Sequence, residues 1–233
     1  SRVIKRGADK LGLHFVHSPL AIPTKSWGGR PSCIRAGVCG LGCKIMAKSS
    51  IDVTYVPKAE ATGRVDIRPQ CQAREITIGH DGRGQSVIYF DATGQEHKIS
   101  ARAIIVAGNA IETPRLLLLS KSALFPQGLA NSSGLVGKYF TEHLNVSASA
   151  VFSDRLDSWR GPMAGGCVQD FYATNKRNGF VRGWMTEVNN GGQWPLSVAW
   201  ETPGWGANHK VRMKQLVGHG VGLATVGEQL PDV

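Results

Sequence analysis

The clearest pattern of apolar and polar positions lies between residues 64 and 103, where short strand-like runs alternate with turn residues. The turns are Asp81-Gly82-Arg83-Gly84 and Ala92-Thr93-Gly94, and both supply the glycines that tight hairpins require. The pattern therefore predicts an antiparallel β-meander. Its predicted strands are Val65 to Ile67, Ala73 to Ile78, Val87 to Phe90 and His97 to Ala103.

A different pattern follows the meander. The run Ala103 to Ala107 is entirely apolar, which is typical of a strand buried on both faces of a parallel sheet. Gly108 ends it, and the Leu-rich stretch that reaches Ser120 favours a helix. Thr113 is predicted as the N-cap of this helix and Pro114 as its first residue. The order is thus strand, glycine turn, helix.

The rest of the chain is less regular. Lys5 to Leu13 suits a short helix and His14 to Ile22 an extended segment, before a loop rich in glycine and cysteine. Beyond residue 145 tryptophans and glycines become frequent. We predict three parts: a cysteine- and glycine-rich segment over 1–62 that flanks a substrate domain, part of a cofactor domain over 63–144, and part of a substrate-binding domain over 145–233.

Charge and hydropathy exclude some classes of protein. The chain of 233 residues has a formal net charge of +10, and residues 1 to 50 hold nine basic residues against one acid, Asp9. These charges are interleaved with Gly, Pro and apolar residues and form no stripe, so we expect no nucleic-acid partner. The apolar runs are far shorter than the roughly 18 residues of a membrane-spanning helix, so we expect no transmembrane segment.

Three of the five cysteines, Cys33, Cys39 and Cys43, fall within eleven residues, with glycines between them. Such a loop can offer three thiolates, which suits a three-iron cluster. A structural zinc site would need a fourth ligand, and none stands at conventional spacing. A local disulfide between Cys39 and Cys43 is the alternative in an oxidising compartment. Cys71 and Cys167 are interpreted as buried small apolar residues.

One string of residues is more specific. Residues 107–120, AGNAIETPRLLLLS, resemble the second signature of the glucose–methanol–choline (GMC) oxidoreductases, and the similarity extends over most of the chain. It is closest to the bacterial sugar and sugar-acid dehydrogenases. The resemblance implies a mixed α/β (α+β) fold: part of an FAD-binding Rossmann-like domain with the meander, plus part of a substrate-binding antiparallel-sheet domain.

The resemblance also implies site residues. The backbone near Ala73 would face the adenine of FAD, and Ala107, Gly108, Asn109 and Thr113 would complete the cofactor-binding set. Some relatives carry a three-iron, four-sulfur cluster at the place of Cys33, Cys39 and Cys43. His143 is similar to histidines that line the active site of relatives.

The activity implied by the resemblance is oxidation of a hydroxyl group of a sugar, sugar acid or alcohol by hydride transfer to FAD. Electrons would then pass to an acceptor other than oxygen, through the cluster if it forms. A cytochrome c or small accessory subunit would be the partner, and the location would be periplasmic or membrane-associated.

The family's G-x-G-x-x-G phosphate turn would precede Ser1 and its catalytic pair would follow Val233, so we expect an internal fragment and assign no catalytic residue. Two other interpretations stay open. The chain could be an iron-sulfur electron-transfer or binding module, or an inactive fragment.

Overall fold

The computed structural model describes residues 2–190 and 193–231, which form two compact units. The five-stranded unit comprises the described residues up to Gly63 and those from Glu142 to Gln229. The meander unit runs from Arg64 to Thr141 and includes Leu230 and Pro231. Most of the first and third segments of the sequence-based division therefore belong to one unit.

The five-stranded unit is built on one antiparallel sheet. In spatial order its strands are β1 (Phe15–Val16), β6 (Ala164–Val168), β7 (Trp184–Asn189), β8 (Gly220–Gly227) and β5 (Leu144–Val151). Neighbouring strands are antiparallel throughout, and β5 pairs with β8 over its whole length. Because helices accompany these strands, the mixed α/β class with antiparallel sheets is confirmed.

The core of this unit lies along the central strands of the sheet. Val188 in β7, Cys167 in β6 and Val221 in β8 are buried, so the prediction that Cys167 is a buried apolar residue is confirmed. A Cβ atom at Gly222 would lie 2.5 Å from the carbonyl oxygen of Asn189 on the adjacent strand. Glycine at this position is therefore a packing requirement.

Four helices accompany the sheet, and three of them lie outside the segments predicted as helical. They are α1 (Arg2–Lys10), α2 (Ile51–Glu60), α4 (Pro195–Glu201) and α5 (Gly206–Leu216). The helix predicted from Lys5 to Leu13 begins and ends three residues earlier, because the chain turns at Gly12 with φ of 70°. Of the extended segment predicted over residues 14–22, only Phe15 and Val16 find a strand partner, on β6.

The meander unit contains the predicted antiparallel meander. Its strands are β2 (Gln72–Ile78), β3 (Gly84–Phe90) and β4 (Glu96–Ser100), in that order. Gly82 and Gly94 adopt φ of 77° and 81° in the two turns, as the turn residues predicted. The strand predicted over Val65 to Ile67 is wrong, since this segment has no strand partner and is exposed.

A carboxylate organises the second turn. Asp91 Oδ1 accepts hydrogen bonds from the backbone amides of Thr93 and Gln95 and from the Thr93 hydroxyl, while its Oδ2 lies 2.7 Å from His97 Nε2. The Thr93 hydroxyl first, and then the His97 ring, hold the pKa of Asp91 far below its ordinary value. The carboxylate therefore stays charged at acidic pH, and the turn keeps its hydrogen bonds there.

The fifth helix, α3 (Asn109–Leu119), packs on β2. A β-bulge at Arg74 interrupts the pairing of β2 with β3. Nearby, the backbone amide of Ile76 donates to Ser120 Oγ at 2.9 Å, and this hydroxyl donates to the carbonyl of Leu116. Because Ser120 and Ile76 are both buried, this pair fixes the end of α3 against the meander.

The run Ala103 to Ala107 does not form the predicted strand. The described residues offer it no neighbouring strand, and Ile105 is 91% exposed. A strand needs at least one neighbouring strand to pair with its backbone groups, and an all-apolar strand also needs its faces covered. The expected strand pairing and burial of this run are therefore wrong for this structure.

No helix among the described residues is long and apolar enough to cross a membrane.

Candidate functional site

Ala73, Ala107 and Gly108, three of the residues predicted to bind the cofactor, line one cavity of about 420 Å³ in the meander unit. Ala73 comes from β2, and Ala107 and Gly108 from the segment that leads into α3. The fold thus brings together positions that lie more than 30 residues apart in the sequence. A volume of this size falls in the range of small-molecule sites and suits one portion of a dinucleotide.

The walls of this cavity are mainly apolar. Ile76, Ile104, Val106 and Leu116 contribute aliphatic surface. Side chains of this kind can hold the face of a flat ring by dispersion and exclusion of water. The cavity therefore fits an aromatic ring system.

The polar side chains of the cavity include an ion pair. Arg115 Nε lies 2.7 Å from Glu112 Oε2 within α3, and both residues line the cavity. Both side chains are partly exposed, so solvent screens the pair. A guanidinium in this position can also meet an anionic ligand group, because one carboxylate does not use all five of its donors.

Asn109, and not Thr113, caps α3. Asn109 has φ of 66°, and its Oδ1 accepts hydrogen bonds from the amides of Ile111 and Glu112. The prediction of Thr113 as the N-cap, with Pro114 as the first helical residue, is wrong because the helix begins one turn earlier. Asparagine tolerates the left-handed region and can cap with its side chain, so it starts the helix before the Thr-Pro pair is reached.

Thr113 has a different role. Its Oγ1 accepts a hydrogen bond from the Gly108 amide at 3.0 Å. A Cβ atom at Gly108 would lie 3.2 Å from Glu112 Cβ and 3.3 Å from the Thr113 amide nitrogen. The Gly108 amide is therefore engaged inside the protein, and the glycine permits close packing of the turn on its own helix.

Among the described residues no group of three or more Cys, His, Asp or Glu side chains could hold a metal ion, so the predicted ligands Cys33, Cys39 and Cys43 are not gathered into one set, and the cluster stays a prediction. Cys33 lines one cavity and Cys39 another. All three thiols are free, so the alternative disulfide between Cys39 and Cys43 is not formed either.

Local geometry explains the separation of these thiols. Gly37 has φ of 78°, and a Cβ atom there would lie 2.0 Å from the Trp159 carbonyl oxygen, so the loop is pressed against residue 159 between the first two cysteines. Cys39 then enters a short 3-10 turn, Cys39–Leu41. A cluster requires the three thiolates to converge, and this path does not bring them into one ligand set.

The thiol of Cys43 is acidified by its surroundings. Its Sγ accepts a hydrogen bond from the Lys48 amide at 3.4 Å, and this contact is the main cause of a lowered thiol pKa. We therefore expect iodoacetamide at neutral pH to alkylate Cys43 about threefold or more faster than Cys33 or Cys39, since the thiolate is the nucleophile. All three thiols are partly exposed, which removes access as the main difference.

Peptide mapping by mass spectrometry over a time course measures the three rates. The same protein in denaturant is the control, where the rates should become equal. Faster alkylation of Cys33 or Cys39 in the folded protein would contradict the assignment.

The histidines and Cys71 complete the set of residues singled out by the sequence. His14 Nδ1 lies 2.7 Å from Asp170 Oδ1, and His17 Nδ1 lies 3.3 Å from the carbonyl oxygen of Gly165. His143 is exposed just before β5. Cys71 is exposed and lines the cavity near Ala73, so its prediction as a buried apolar residue is wrong.

A second cavity, of about 630 Å³, was not predicted from the sequence. It lies in the five-stranded unit and is lined by residues between 17 and 35, by the loop from Leu156 to Gly165, and by Asn190. These segments share no motif, and the first and last lining residues, His17 and Asn190, lie 173 positions apart. Nothing in their local sequence signals that they meet.

Comparison with known proteins gives a consistent result. The family model described as GMC oxidoreductase matches residues 1–145. The chain is 33% identical over 232 residues to the 2-methyl-1,2-propanediol dehydrogenase of Mycolicibacterium austroafricanum, covering 95% of this chain and 41% of that protein. It is 30% identical over 232 residues to the fructose dehydrogenase large subunit of Gluconobacter japonicus, with 96% and 41% covered.

A third relative, the paromamine 6'-oxidase of Streptomyces fradiae, is 30% identical over 199 residues, which cover 82% of this chain and 37% of that protein. The chain therefore spans about two fifths of the length of these relatives.

Proposed function

Because this chain belongs to the GMC oxidoreductase family, we propose that the full-length protein is an FAD-dependent dehydrogenase that oxidises a CH–OH group of an alcohol, sugar or sugar acid. The observation that carries the proposal is the convergence of Ala73, Ala107 and Gly108 on one largely apolar cavity. These are the positions at which the resemblance to the family implies contact with the cofactor.

The residues present fit part of FAD. Ile104, Val106 and Ala73 offer apolar surface to a flat ring such as adenine, and Arg115 lies on the same cavity as a donor to an anionic group. Bound FAD supplies the hydride acceptor for the oxidation. The residues of this chain hold and orient the cofactor, and the proton of the substrate hydroxyl passes to a base that we do not assign to this chain.

We further propose that the acceptor of the electrons is not oxygen. Two of the three relatives are dehydrogenases and one is an oxidase, so this part of the proposal needs its own measurement. A cytochrome c or a small accessory subunit is the proposed partner. A three-iron cluster at Cys33, Cys39 and Cys43 stays a proposed part of the electron path, although these cysteines are not gathered into a ligand set among the described residues.

The interpretation as an iron-sulfur binding module stays an alternative, and iron with acid-labile sulfide but no flavin in the purified protein would favour it. The interpretation as an inactive fragment is compatible with the coverage of about two fifths of the relatives, and it concerns this length of chain and not the full-length protein.

The absorption spectrum of the purified full-length protein is the first test. We expect flavin bands that bleach under anaerobic conditions when a substrate is added from a panel containing 1,2-propanediol, fructose, glucose and gluconate. A full-length protein that carries no flavin, and regains none when reconstituted with FAD, would overturn the proposal. Reoxidation of the bleached flavin by oxygen as fast as by a quinone or ferricyanide would overturn only the choice of acceptor.

A further inference from the structure

The cavity of about 630 Å³ in the five-stranded unit has the size of a small-molecule site. It shares no lining residue with the cavity that holds Ala73 and Gly108. Its walls mix apolar residues such as Leu20 and Ile22 with charged and polar ones. A cavity of this composition suits a ligand with many polar groups.

Two buried polar atoms of this cavity lack a partner. Ser18 Oγ and Asn190 Oδ1 make no hydrogen bond among the described residues. Asn190 is only 8% exposed, and its backbone amide is held by the carbonyl of Met163 at 2.7 Å. Burying a polar group without a hydrogen bond costs stability. A ligand hydroxyl, which both donates and accepts, would satisfy either atom.

The charges around the cavity are predominantly positive. Arg35 and Arg160 line it, and neither forms an ion pair with a carboxylate among the described residues. Arg160 is placed by its stacking over the Trp159 ring, at 5.1 Å. The acid on the cavity wall, Asp157, is already paired with Arg155 at 3.0 Å. Guanidinium groups without a carboxylate partner in the protein can pair with a carboxylate on the ligand.

We propose that this cavity binds a polyhydroxylated carboxylate, that is, a sugar acid. Its hydroxyls hydrogen-bond to Ser18 and Asn190, and its carboxylate pairs with Arg35 and Arg160. The lining residues alone support binding of this ligand. That the ligand is the substrate to be oxidised rests on the proposed function.

Calorimetric titration of the full-length, flavin-loaded protein with gluconate and glucitol tests the charge argument. These two probes carry the same hydroxyls except that gluconate has a carboxylate where glucitol has a hydroxymethyl group. We expect gluconate to bind about tenfold more tightly, and the difference to shrink as salt screens the pairing. Equal binding of the two probes, or binding of neither, would overturn the proposal.

Substitutions assign the residues. The double variant Arg35→Gln with Arg160→Gln should remove most of the preference for gluconate over glucitol. Glutamine keeps a side chain of similar length at Arg35, where φ is 56°. Arg177→Gln, at an exposed position of the short 3-10 helix Lys176–Asn178 outside the cavity, is the matched control and should change neither affinity.

Asn190→Ala separates binding from structure. This substitution should weaken the binding of both probes about fivefold. The melting temperature of the protein should stay unchanged or rise, because the removed side chain has a buried oxygen without a hydrogen bond. A lower melting temperature with unchanged affinities would show a purely structural residue and overturn the assignment.

The outcomes also distinguish this inference from the proposed function. Flavin that bleaches with neutral alcohols, in a protein whose arginine variants bind gluconate as the wild type does, would refute the sugar-acid site alone. Gluconate binding with the expected variant pattern in a protein without flavin would refute the proposed oxidation and leave the site intact.

Discussion

Replacing Gly128 with alanine is expected to lower the free energy of unfolding of the meander unit by about 3 kcal/mol. Gly128 has φ of 98°, and a Cβ atom there would lie 2.7 Å from the Leu117 carbonyl oxygen and 2.8 Å from Leu118 Cα. Both are backbone atoms of α3, so the clash is relieved only by moving the helix. The next amide, of Leu129, donates to that same carbonyl of Leu117 at 2.9 Å and would be pulled away.

Gly134→Ala is the matched control for this prediction. Gly134 also has a positive φ, of 69°, but a Cβ atom there would meet nothing within 4 Å. The substitution should therefore lower the free energy of unfolding by only about 1 kcal/mol, the cost of holding alanine at a positive φ. Native-state hydrogen exchange of the β2 and β3 amides measures both variants, because it reports one unit of a larger protein separately. Equal losses in the two variants would show that the contact with α3 is unimportant.

The second prediction concerns the turn before α3. Thr113→Val removes the hydroxyl that accepts a hydrogen bond from the Gly108 amide. It keeps the shape of the side chain. The unpaired amide should loosen the turn that lines the cavity, and we expect the affinity of the full-length protein for FAD to fall about tenfold. Fluorescence titration of the flavin-free protein with FAD measures the change.

Thr113→Ser keeps the hydroxyl and should bind FAD nearly as the wild type does. If Thr113→Val binds FAD more tightly than the wild type, the Gly108 amide donates a hydrogen bond to the cofactor, and in the wild type the Thr113 hydroxyl competes with the cofactor for that amide. That result would contradict a structural role for the hydroxyl.

Patterns that depend on neighbouring residues were predictable from the sequence. The meander follows from alternating runs and two glycine turns, whose hydrogen bonds join segments adjacent in the chain. The position of α3 was predictable to within a turn, and its start was misplaced because Asn109 and Thr113 are both plausible caps and only the path of the chain selects between them.

The cysteine loop shows the limit of spacing as evidence. Three thiols within eleven residues are compatible with a ligand set, but convergence also depends on what the loop packs against. In this protein that neighbour is residue 159, about 120 positions away in the sequence, and no local pattern encodes this contact.

The amino-acid sequence by itself determined the family of this protein, the meander and the glycine turn before α3, because each depends on residues close together in the chain. Only the tertiary structure decided that Ala73 meets Gly108 on one cavity and that Ser18, Arg35 and Asn190 share another cavity. The physical reason is that hydrophobic burial is non-directional. Contacts between distant segments are therefore set by how whole elements pack, which local residue patterns do not specify.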